Sequence, residues 1–170
     1  MNNDSIRRQP RSFKSTALLA GLAGGVVEMV WVAGYCAVSP LSSSEVLRQI
    51  SLSVGLNAGN GALASISGMA VHLGLSALLG LAFTLIVWRP SVRHSGIVGC
   101  LLASCGVLSL IWAFNFFLLL PSLNPNFAGL MPYGVTLGSK LLFGIAMGWV
   151  LHRAEHQRLG ATSAPALCAV

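Results

Sequence analysis

Four long apolar runs, separated by short polar or breaker segments, restrict what this 170-residue chain can fold into more than any other feature. Each run reaches the ~20 residues that a helix needs to cross a hydrocarbon core about 30 Å thick. They are expected as helices near 16–38, 62–88, 95–120 and 133–152. Short alternating segments would mark a membrane barrel, whereas these runs are continuous and rich in Gly, Ala and Leu. Helices satisfy every backbone polar group within the segment, as lipid requires. Only 8% of the residues are charged, against roughly a quarter in an average soluble domain. The expectation is an all-α, polytopic membrane protein with four transmembrane helices.

The basic residues orient it. Arg7, Arg8, Arg11 and Lys14 precede the first run, Arg89 and Arg93 separate the second from the third, and Arg153 and Arg158 follow the fourth. Eight of the ten Lys and Arg thus fall on one side of a four-span topology. By the positive-inside rule both termini and the middle loop are cytoplasmic. Residues 1–15 read as a basic cytoplasmic segment, 16–152 as the transmembrane domain, and 153–170 as a cytoplasmic, disordered tail. The net charge of +6 is therefore assigned to topology and lipid headgroups, with no nucleic-acid partner expected. A cleaved export signal is the competing reading of the N-terminus. Its apolar run exceeds the usual 7–15 residues and lacks a small-residue cleavage site, so the first helix is expected to be retained.

The first outer loop carries a capping-box pattern, Ser42 followed by Glu45. Val46, Leu47, Ile50 and Val54 then share a helical face, with Glu45, Arg48 and Gln49 turned away, as in a short amphipathic helix on the outer membrane surface. That helix is either an ordinary loop element or a lid over an outward-facing site. Gly55, Gly59 and Gly61 break the chain before the second span. The second outer loop is uncharged, and Phe127, Leu130 and Met131 suit it to the interface or to dipping inward.

Shifting the sequence by 81 positions lays Gly25, Trp31 and Pro40 on Gly106, Trp112 and Pro121; shifting by 64 lays Leu73, Gly80 and Arg89 on Leu137, Gly144 and Arg153. The expectation is two parallel-repeat hairpins about an axis along the membrane normal, with Trp31 and Trp112 in matching places. GxxxG spacings at Gly21/Gly25, Gly134/Gly138 and Gly144/Gly148 allow close helix approach, within the bundle or in self-association. The Gly21-Leu-Ala-Gly-Gly-Val-Val run, the His72 span and Pro121-Ser-Leu-Asn-Pro resemble the YagU-type four-helix inner-membrane proteins. The resemblance implies a bacterial inner membrane and carries no biochemical activity; Ser139 and Lys140 stand where that pattern would have a histidine.

Ionisable groups within spans are costly and mark candidate sites. Glu28, His72 and Lys140, with Asn115 as a neutral companion, come from four different spans. At ~1.5 Å per residue, all fall at mid-depth or in the outer half. The expected pairing is Glu28 with Lys140, with His72 and Asn115 satisfying the remaining donors and acceptors. Such a centre is either a salt bridge that sets helix register or a titratable, substrate-binding site lined by Trp31, Tyr35, Trp112 and Tyr133.

No cofactor or metal is expected. Haem ligands would have to share a level with His72, yet His94, His152 and His156 lie at the cytoplasmic side, and zinc spacings of Cys and His are missing. Cys36, Cys100, Cys105 and Cys168 read as small packing residues. No catalytic motif appears. Two functions stay open: a non-enzymatic accessory subunit or assembly partner of a membrane complex, and a small oligomeric carrier or channel for a proton or small solute.

Overall fold

A computed structural model describes residues 13–57, 59–88, 92 and 95–162. The expected basic residues Arg7, Arg8, Arg11, Arg89 and Arg93, together with His94 and Cys168, lie outside the described residues, as does the tail from 163. The elements run α1 (Phe13–Ala37), α2 (Ser43–Ser53), α3 (Ala62–Ile86), α4 (Gly96–Phe114), a π-turn (Asn115–Leu119), α5 (Leu120–Leu123), α6 (Pro125–Ala128) and α7 (Tyr133–Thr162). No strand occurs among the described residues. Four helices are long and apolar enough to cross a membrane: Phe13–Ala37, Ala62–Ile86, Gly96–Leu123 and Tyr133–Leu159.

The four long helices pack in the order α3, α1, α7, α4, with α1 and α7 sharing the most extensive face. Glycines set the two flanking interfaces. A Cβ on Gly21 would run into the Ser76 carbonyl and the Gly80 backbone, and one on Gly80 into Ala17 and Gly21, so α1 and α3 cross in backbone contact. Between α7 and α4, Gly144 meets the Cys105 backbone and Gly148 meets Ser104 and the Cys100 carbonyl. Two of the three GxxxG pairs are thus used inside the chain; Gly138 lies beneath the Trp31 ring, while Gly134 faces open space. Hydroxyls on these faces bond their own helices, Ser76 Oγ to His72 O, Thr84 Oγ1 to Gly80 O and Ser104 Oγ to Cys100 O, which removes the cost of burying them.

The tryptophans of the two hairpins do not make equivalent contacts. An axis exchanging α1 with α4 and α3 with α7 would carry a Trp31–α7 contact onto a Trp112–α3 contact. Instead both indoles reach α7: Trp31 Nε1 donates to Val135 O at 3.0 Å and Trp112 Nε1 to Thr136 Oγ1 at 3.0 Å.

Two further expectations change at the helix ends. The fourth helix does not stop at 152 but continues to Thr162, because Leu151 and Glu155 on its inner face are buried and Arg158 lies over the Phe13 ring. Part of the expected disordered tail is therefore packed helix. The third helix slips into a π-turn at Asn115, with Leu120 N donating to Asn115 O. Pro121 follows and has no N–H, so the α-helical ladder cannot continue through it.

One apolar cluster, including Phe83, Trp88, Leu108, Phe143, Met147 and Leu151, fills the half of the bundle nearest Phe13 and Thr162. A smaller one, around Val32, Cys36, Val46 and Met131, fills the opposite, α2 end, with Tyr35, Ile50, Phe127, Leu130 and Val135 packed against it. The loop after α5 therefore dips inward.

Candidate functional site

Of the four polar groups expected to meet, Glu28 and Lys140 pair directly, and His72 bonds the neighbouring backbone of α1 rather than either charge. Glu28 on α1 is buried, 6% exposed, and its Oε1 accepts from Lys140 Nζ at 2.5 Å and from Ser139 Oγ at 3.1 Å. Ser139 shares its single hydroxyl proton with the Thr136 carbonyl at 2.7 Å. His72, on α3, is within electrostatic reach of both Glu28 and Lys140. Its Nε2 lies 3.1 Å from Gly25 O; a carbonyl can only accept, so Nε2 carries the proton. The centre thus ties α1 to α7 by an ion pair and α1 to α3 by the histidine.

Asn115 does not join them. It opens the π-turn on the far helix of the row, and α7 stands between α4 and α1. Its expected place is taken by Ser139. That residue could have been found in the sequence, since Thr136, Ser139 and Lys140 recur at i, i+3 and i+4 and so share a helix face; matching one polar residue to each helix concealed it.

The immediate surroundings are close-packed. One turn from Glu28 towards the larger cluster, a Cβ at Gly24 would overlap the Phe143 ring, and one at Gly25 would overlap Ser76. The aromatics expected to line a pocket are instead packed on helices. Trp31 covers Gly138, and Tyr35 packs against the α2-end cluster. Trp112 stacks on Phe116 with centroids 5.6 Å apart and meets Tyr133 edge-on at 6.2 Å. One polar atom in the centre is left over: Glu28 Oε2 is buried, and no protein group donates to it.

Above the centre sits a cap built from α2 and α6. Ser42 Oγ accepts from Glu45 N at 3.2 Å, the expected first half of a capping box. The reciprocal half is replaced: the Glu45 carboxylate takes Arg48 Nε and Nη2 at 2.8 and 2.7 Å and Gln49 Nε2 at 2.8 Å. These hydrogen bonds, Arg48 first, pull the Glu45 carboxyl down to about 2. Gln49 was expected to face away with Glu45 and Arg48, but it is buried. Its Oε1 accepts from Asn124 Nδ2 at 2.9 Å, and Asn124 Oδ1 caps α6 by accepting from Phe127 N at 3.2 Å. Val54, assigned to the apolar face, is 46% exposed instead. Rather than floating on a surface, α2 is seated on α3, where a Cβ at Gly68 would strike the Leu47 backbone and Ser51 Oγ bonds Ser67 Oγ at 2.8 Å.

Cys36 and Cys100 are buried and Cys105 is half-buried, all three as free thiols. His152 and His156 contact each other through their rings, 4.5 Å between centroids, on the part of α7 far from Glu28. Among the described residues no group of three His, Cys, Asp or Glu is arranged to hold a metal ion. No family model, curated protein or solved structure matches the chain.

Proposed function

We propose that this chain is a non-enzymatic, multi-pass membrane protein that works as an accessory or assembly subunit of a membrane complex. Its place would be the bacterial inner membrane with both termini cytoplasmic. The observation that carries the reading is that the Glu28–Lys140 pair is made between two helices of the same chain, with close-packed surroundings on its inner side. A buried ion pair of this kind fixes which helix faces meet and in what register. It leaves the apolar outer faces of α3 and α4, including Ile66, Leu78, Val98, Leu102 and Leu110, for lipid or for neighbouring subunits.

A carrier for a proton or small solute is the second reading, and one observation favours it: the buried Glu28 Oε2, to which no protein group donates, within a span. Tagged protein extracted from its own membranes in mild detergent separates the two. A complex of fixed stoichiometry containing other chains supports the accessory role. A monomer or homo-oligomer alone overturns it and leaves the carrier.

A further inference from the structure

We infer that the Glu28–Lys140 pair is a proton-releasable clamp: Glu28 takes up a proton at Oε2, and the loss of its charge frees Lys140 from α1. The inference rests on reading the pair as the tie between the two central helices and adds how that tie is opened.

Three features of the centre lead to it. The two carboxylate oxygens are used unequally, since Oε1 holds both Lys140 and Ser139 while Oε2 is buried with no protein donor. A proton can therefore add to Oε2 without displacing any existing bond. The partners also differ in access: the Lys140 side chain is 20% exposed and that of Glu28 8%. Freed of its counter-ion, the ammonium can extend along its flexible stem to polar surroundings, whereas the carboxyl cannot leave. Access is one-sided as well. Gly24 against Phe143 and Gly25 against Ser76 close the way towards the larger apolar cluster, so the proton arrives along the exposed flank of Lys140.

The groups facing Glu28 are Lys140 and neutral Ser139 on α7 and His72 on α3. A charged His72 would oppose proton uptake by Glu28, as Lys140 does, because both cations favour the carboxylate. The balance is simple. One proton passes from hydronium to Oε2, leaving water, carboxylate becomes carboxylic acid, no covalent bond in the protein breaks, and the ammonium keeps its three protons.

Dicyclohexylcarbodiimide provides the test, because it reacts with protonated carboxyl groups in apolar surroundings to leave a stable acylurea. The full-length protein in lipid vesicles is treated across a pH series, with labelled peptides identified by mass spectrometry and the fold followed by circular dichroism. Glu28 should be modified, with a rate rising about tenfold for each pH unit of acidification until it levels off, and E28Q should remain unmodified at that position. K140M, which removes the cation that holds the carboxylate charged, should bring modification at neutral pH. No modification of Glu28 in folded wild type at any pH, or none in K140M at neutral pH, overturns the releasable clamp. The composition of the detergent-extracted complex is read independently, so the accessory role can fail while this inference stands, and the reverse.

Discussion

Replacing Lys140 by Met should harm this protein more than replacing Lys140 and Glu28 together. K140M keeps the length of the side chain and removes its charge, leaving the Glu28 carboxylate 8% exposed with only the Ser139 hydroxyl donating to it. Breaking a buried pair from one side costs about 3–5 kcal/mol, because the remaining carboxyl must either stay charged without compensation or take up a proton at neutral pH. E28Q strands the other partner, but Lys140 begins 20% exposed and can extend outward, so its cost should be smaller, about 1–3 kcal/mol. E28Q/K140M removes both charges and keeps an acceptor for Ser139; it should lie within about 1.5 kcal/mol of wild type. The coupling across the cycle is then at least about 2 kcal/mol, well beyond the few tenths expected of independent sites. Thermal or denaturant unfolding in detergent, with all four proteins in one detergent and lipid mixture, gives the cycle. Additive single-mutant costs, or a double mutant no better than K140M, would refute the reasoning.

Glycine positions make a second test: Gly80→Leu, which drives a side chain into the backbone of Ala17 and Gly21, should cost at least the 1–3 kcal/mol of ordinary overpacking. Gly134→Ala, at an open position, should melt like wild type. In the cap, Gln49→Ala and Asn124→Ala should each cost about 1–3 kcal/mol by orphaning a buried partner, while the double change costs less than their sum by thermal melting. The Glu45 carboxyl, held near 2 against an ordinary 4.5, contributes stability that is present above 4.5 and lost as pH falls through about 2. An NMR titration of Glu45 should show that low midpoint in wild type and its rise towards 4.5 in Arg48→Ala. Reporter fusions after residue 14, near 91 and after 160 should read as cytoplasmic and one near 125 as external; an external middle loop would contradict the proposed topology.

The four helices were legible because lipid-scale apolar runs of this length have few other solutions. The Glu28–Lys140 pairing was legible for a related reason, since neither charge is stable alone among apolar side chains, whatever the helix order. What the sequence conceals is azimuth and neighbourhood. Asn115 lies on a helix that α7 separates from α1, and no periodicity in α4 records which helix is next to which. Gln49 misled in the opposite way. A polar residue on a short helix is assigned to water unless its buried partner is known, and that partner, Asn124, comes 75 positions later in a loop. Trp31 and Trp112 align in the repeat, yet both hydrogen-bond to α7; an alignment of glycines and apolar residues carries little about which face of each helix is covered. The extension of α7 to Thr162 was hidden because the polar residues beyond 152 include one, Glu155, whose burial depends on packing near Phe13 and Trp88.

The distance between Lys140 Nζ and the Glu28 carboxyl carbon bears most directly on the central claim, that an intramembrane ion pair ties α1 to α7. Solid-state NMR dipolar recoupling between 15N-labelled lysine and 13C-labelled glutamate can measure it in lipid bilayers. Lys14 and Lys140 are the two lysines of the chain, so K14R leaves one nitrogen to observe, and E28Q identifies the carbon. A strong coupling, corresponding to a separation of about 4 Å or less and abolished by E28Q, is the predicted result. A Lys140 nitrogen that shows no coupling to any glutamate carboxyl at neutral pH in a folded sample would contradict it.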